Sequence, residues 1–147
     1  MRFLIFLTFS GLTACAQFPQ IGGLSSSEPD APTIEGPPPP PPTARTVEQF
    51  DTTTEEERIA ATKPASGGAR LGETVASLGD ATMPGFWVQT SLVSEEQQGR
   101  VVNPVNGRSV SVELRPIDGG SARVSLSAMR LLEAPLTELV TLDLFTS

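Results

Sequence analysis

Hydrophobic positions along this chain fall into three regimes. They are nearly continuous from Phe3 to Leu12, sparse from Ala16 to Arg70, and regularly spaced from Leu71 to Ser147. Only the last regime has the periodicity of a folded domain. Val110, Val112 and Leu114 alternate with Ser109, Ser111 and Glu113, and Val140, Leu142 and Leu144 alternate with Thr141 and Asp143. Alternation at period two predicts strands with one buried face. Asn106-Gly107 stands between β-rich runs and predicts a hairpin through a type I′ turn, which needs positive φ twice. Its incoming strand would span Gly99 to Val105, at a sheet edge near Pro104, because proline donates nothing to a ladder. Beyond the turn Asp118-Gly119-Gly120, residues 122–126 predict a short strand. Ser125 then caps a helix reaching Glu133, with Leu126, Ala128, Met129 and Leu132 on its buried face. Glu73 to Leu78 and Phe86 to Leu92 predict two earlier strands, and Leu139 to Phe145 the last. The sum is a small α+β domain, mainly β, over residues 71–147.

The sparse regime carries ten of the fourteen prolines, with Pro37 to Pro42 consecutive. Few apolar residues cannot bury enough surface to offset chain entropy, so residues 15–70 are expected to be a disordered tether. The proline run should form polyproline II, a stiff spacer of roughly 3.1 Å per residue. Such a run is also a ligand for aromatic-lined grooves; the spacer reading is preferred here. One short helix is expected near residues 54–62, with Thr53 as N-cap and Glu56 completing a capping box. Lys63-Pro64 would end it.

Composition removes several kinds of chemistry. The chain has 147 residues, one Cys, no His and a net charge of −7. An acidic chain lacks the basic footprint of a nucleic-acid binder. A lone Cys without His excludes a thiolate/imidazole zinc site and the His-dependent nucleophile schemes. No metal or cofactor is expected.

Arg2 followed by the apolar run to Leu12 reads as an export signal, too short to span a bilayer permanently. The run ends in Leu12-Thr13-Ala14-Cys15, which resembles the bacterial lipobox. That resemblance implies removal of residues 1–14, diacylglyceryl transfer to Cys15, and acylation of the new amino group by a fatty acid such as palmitate. More than one chain makes anchoring stable. Ala16 in place of Asp implies sorting to the outer membrane, facing the periplasm.

A second resemblance covers roughly residues 72–145. Val75-Ala76-Ser77-Leu78-Gly79, the hairpin Gly99-Arg100-Val101-Val102-Asn103 with Asn106-Gly107-Arg108-Ser109-Val110-Ser111-Val112, and Val124-Ser125-Leu126-Ser127 resemble segments of the rare lipoprotein A family. The likeness implies a double-psi β-barrel and an association with peptidoglycan. That family carries a catalytic Asp just after the outgoing hairpin strand and a His nearby. Here Arg115 stands where that family has Asn and Pro116 where it has the catalytic Asp, and Asp118 comes two residues late. Asp118 is the one catalytic candidate, and a catalytically silent module is the preferred reading. The module would bind peptidoglycan or an envelope protein, with a peptidoglycan-cleaving enzyme as the alternative. The segment Leu131-Leu132-Glu133-Ala134-Pro135-Leu136-Thr137 also resembles alphaproteobacterial lipoproteins labelled D-galactarate dehydratase, a further alternative that the residue chemistry does not favour.

Candidate binding residues are Trp87, the only Trp, and the arginines Arg100, Arg108 and Arg115. An exposed indole stacks on sugar faces, and guanidinium groups pair with the carboxylates of peptide stems or acidic partners. For Trp87 the competing reading is a core residue entering a strand.

Overall fold

A computed structural model describes residues 36–64 and 67–147. Cys15, the signal segment 1–14 and the first part of the expected tether lie outside the described residues. Six strands form β1 (Arg70–Leu78), β2 (Trp87–Thr90), β3 (Gln97–Val102), β4 (Ser109–Pro116), β5 (Ala122–Val124) and β6 (Val140–Thr146). Three short helices are α1 (Val47–Phe50), α2 (Glu55–Ala61) and α3 (Leu126–Leu131). The strands close into a barrel in the order β1-β5-β2-β4-β3-β6. The domain is thus mainly β with little helix, as the alternation of β4 and β6 predicted.

Inward positions make the core. Val110, Val112 and Leu114 of β4 are buried while their neighbours are not, and Val140, Leu142 and Leu144 of β6 repeat the pattern. Met129 and Leu132 join the same cluster from α3 and its C-cap. Each fully buried Leu contributes about 1.5–3 kcal/mol relative to exposure. Gly99 on β3 is needed for close approach: an added Cβ would sit 2.4 Å from Leu114 and 2.6 Å from the Phe145 carbonyl oxygen.

The ring has an internal regularity. β1 pairs with β5 and β2 with β4 in parallel, while the other four ladders are antiparallel. Exchanging β1–β3 for β4–β6 reproduces the same ring, read in the opposite sense. Every ladder therefore joins one strand of the first half to one of the second.

Three expectations differ from the structure. The barrel is closed, so no strand end at Pro104 is a sheet edge; β3 stops at Val102, and Pro104 lies in the loop. That loop is not a type I′ turn, since of Asn106-Gly107 only Gly107 has positive φ. Instead Asn103 N–H donates to the Arg108 carbonyl and Gly107 N–H to the Asn103 carbonyl, each at 2.8 Å. The side chains explain the preference: Asn103 and Asn106 each donate from Nδ2 to the Leu132 carbonyl, at 3.1 and 2.9 Å. Two side-chain amides thus satisfy one carbonyl at the end of α3 that has no helical partner. Beyond Leu132, Glu133 adopts φ 50°, and Ala134 N–H returns to the Met129 carbonyl at 3.0 Å. This is a Schellman termination with Glu where Gly is usual.

The third difference is the tether. Residues 36–64 form a strap over the barrel, and its α2 packs on β4. The N-cap of α2 is Thr54, not Thr53: Glu57 N–H donates to Thr54 Oγ1 at 3.2 Å, and Glu57 Oε2 accepts from Thr54 N–H at 2.7 Å. Thr53 is unavailable because its hydroxyl donates to Asp51 and accepts from Arg58 Nε. Composition misses the strap because its main attachment is polar: Asp51 is buried, supported by the small residues Ala44 and Ala61. Among the described residues, no helix is long and apolar enough to cross a membrane.

Candidate functional site

The end of β4 is where the hairpin resemblance places catalytic chemistry. β4 runs parallel to β2, with Trp87 opposite Glu113, Gln89 opposite Arg115 and Thr90 opposite Pro116. Arg115 Nε donates to Glu113 Oε1 at 2.7 Å, and its guanidinium carbon lies 5.9 Å from the Trp87 ring centre. The hydrogen bond to Glu113 raises the Arg115 pKa further, against the opposing effect of burial. A permanent cation, bound to its own carboxylate, therefore stands next to Pro116, which takes the place of the acid.

Past Pro116 the chain turns sharply. Ile117 N–H donates to the Thr90 carbonyl and Gly119 N–H to the Ile117 carbonyl, leaving Asp118 at the exposed tip. Gly119 and Gly120 have φ of 76° and 84°, a backbone conformation in which glycine avoids strain. General-acid catalysis needs a carboxyl held within reach of the leaving oxygen in an enclosed site. The turn supplies no such enclosure to Asp118.

The other sequence candidates do not converge. Trp87 is 1% exposed and its Nε1 donates to the Met83 carbonyl at 3.2 Å, so the indole is core and offers no face to a sugar. Gly79 admits it, since an added Cβ there would lie 2.5 Å from the ring. Arg100 stacks over Phe145, 4.6 Å from the ring centre. Arg108 pairs with Glu133 at 2.7 Å across the loop after β3. Each of these arginines has a different local partner.

The most densely connected polar group was not foreseen from sequence. Asp51 Oδ1 accepts from Thr53 N–H, Thr53 Oγ1 and Ser127 Oγ, at 3.3, 2.5 and 2.8 Å. Asp51 Oδ2 accepts from Arg130 Nη1 at 2.6 Å, with Arg58 Nη2 at 3.5 Å. Burial alone would raise the Asp51 pKa, but bonds from Thr53 and Ser127 and the Arg58 charge together hold it below the usual carboxylate value. Satisfied on both oxygens, this carboxylate is a clamp between strap and α3 rather than a reactive group. The only sequence signal for it would have been the pairing of Ser127 and Arg130, three apart on one helix face.

A groove of about 450 Å³ runs between α2 and β4, lined by Ala60, Ala61, Phe86, Gln98, Ser111 and Glu113 among others. Among the described residues, no three His, Cys, Asp or Glu side chains are grouped to hold a metal ion. Compared with known proteins, the chain matches no family model, no curated sequence and no solved structure.

Proposed function

We propose that this chain is a non-catalytic lipoprotein of the cell envelope. In this reading it is anchored through Cys15 to the outer membrane, faces the periplasm, and binds peptidoglycan or an envelope protein through its barrel domain. One observation carries the non-catalytic part. At the end of β4 Pro116 stands where the resemblance places the catalytic acid, Arg115 beside it is tied to Glu113 above the buried Trp87, and Asp118 is exposed on a glycine turn. The two parallel ladders and the exchangeable halves support the double-psi reading of the barrel. The lipid anchor rests on the lipobox-like residues Leu12 to Cys15.

The decisive test incubates purified sacculi with a soluble form, residues 16–147, and measures both co-sedimentation and released muropeptides. Binding without release supports the proposal. Release that disappears in Asp118→Asn would replace it with the lytic reading. No binding leaves an envelope protein as the partner. For the anchor, Cys15→Ala should abolish acylation and membrane fractionation in cells; an unchanged mass and fraction would refute it.

A further inference from the structure

The proline run does not hang free. Thr52 Oγ1 donates to the Pro38 carbonyl, and Ala44 N–H donates to the Pro41 carbonyl at 2.9 Å, closing a turn at the end of the run. Pro37 packs at the Gly85 position, where an added Cβ would meet its ring at 3.8 Å. Exposure along the run has period three: Pro37 and Pro40 are half-buried, whereas Pro38, Pro39, Pro41 and Pro42 are exposed. That spacing of three matches the polyproline II repeat, and between the bend at Pro37 and the turn at Pro42-Thr43 the run presents Pro38, Pro39 and Pro41 outward. A spacer would have no reason to be held at both ends with these prolines presented.

Two clefts open along the run. One, of about 670 Å³, is lined by Gly36 to Pro39 with Thr54 and Glu57. Another, of about 450 Å³, is lined by Pro39 to Pro42 with Ala44, Phe50 and Thr82. Either has room for a flat side chain inserted beside a proline ring. Glu55 and Glu56 precede Glu57 on α2 and are exposed, which gives this border negative charge.

We propose that Pro38–Pro42 is a preordered recognition ridge for a protein partner whose groove is lined by aromatic rings and rimmed with basic residues. Proline-rich ligands bind such grooves because their backbone is already extended and has little conformational entropy to lose. Anchoring the run on the strap lowers that loss further, so the folded chain should bind more tightly than the same residues as a free peptide. The ridge belongs to the strap, and sacculus binding by the barrel is measured separately, so either reading can fail alone.

The test titrates ¹⁵N-labelled residues 16–147 with three isolated probes, a WW, an SH3 and an EVH1 domain. Prolines have no amide, so Gly36, Thr43 and Ala44 are the reporters. At least one probe should move these amides while leaving those of β1–β6 in place. Its affinity should exceed that for a peptide of residues 36–46 by about threefold or more. The double variant Pro39→Ala/Pro42→Ala should lose that binding with the Asp51 and Thr53 amides unmoved, which shows the strap still docked. Val105→Ser, at an exposed loop residue outside the strap, should bind as the parent does. Absence of binding by all three probes would overturn the proposal. So would an affinity no greater than the peptide's, or shifts confined to the barrel.

Discussion

Replacing Asp51 by Asn tests how the strap is held. Asn preserves the shape of the side chain but removes its charge and turns an NH2 group toward one of its donors. A hydrogen bond to a charged group is worth about 1.5–3 kcal/mol. Arg130 and Arg58 each retain 33% side-chain exposure, so water compensates part of the loss and the lower half of that range applies to Arg130. Arg58, at 3.5 Å, adds little. With the misdirected NH2 against Arg130, the expected loss is about 2–3 kcal/mol, or about 30- to 150-fold in the docking equilibrium. Native-state hydrogen exchange reads it directly. Amides of Asp51, Arg58 and Thr62, which bond within the strap, should exchange faster by that factor, while those of Val101 and Val110 in the barrel keep their rates. Unchanged strap rates would refute the clamp. Equal acceleration of strap and barrel would refute the idea that the strap opens on its own.

Three further outcomes concern the same carboxylate, the barrel wall and the end of α3. Because docking lowers the Asp51 pKa, its contribution is full above the open-state value of about 4 and is lost as pH falls through the docked value. Strap amides should therefore lose protection in acid more steeply in the parent than in Asp51→Asn, measured between pH 6 and pH 3. Gly99→Ala forces a Cβ against Leu114 and the Phe145 carbonyl, and should destabilise the barrel by about 1–3 kcal/mol or more in chemical denaturation, followed by Trp87 fluorescence. Glu133→Gly relieves a left-handed backbone that costs about 1–2 kcal/mol for other residues, against a more flexible unfolded chain and one exposed ion pair with Arg108. The net gain should be about 0.5–1 kcal/mol, seen as a raised denaturation midpoint; a loss would show that the Arg108 pair matters more than the backbone.

Local pattern carried much of the barrel and little of the strap. β4 and β6 were readable because each buries every second residue, and Ser125 marked the start of α3 as a cap should. Ring closure has no local signature: β1 meets β5 and β6 only through residues far along the chain, and only the family resemblance suggested a barrel. The hairpin was located correctly but its turn was not, because Asn103 and Asn106 serve Leu132, a residue remote in sequence. The strap escaped because a period-based reading weighs apolar residues, whereas its hold is one carboxylate facing Ser127 and Arg130. Trp87 illustrates the reverse limit. Its chemistry suits sugar binding and core packing equally, and its burial, with the bond to the Met83 carbonyl, decides for the core.

The way the two halves interlock governs how the molecule must be assembled. A chain synthesised or exported from its N-terminus presents β1, β2 and β3 before any of their partners exists. None of the three can form a ladder with another, so the first half has to wait as an unpaired segment until β4 arrives beside β3. The β3–β4 hairpin is then the only pairing available without a long loop closure, and it is the natural nucleus from which the remaining strands thread into place. The same logic makes the halves obligate complements: cleaved in the loop between Val102 and Ser109, each fragment carries three strands that only the other can satisfy. Two copies of the chain could meet that need by trading halves, so concentrated refolding carries a built-in route to an exchanged dimer.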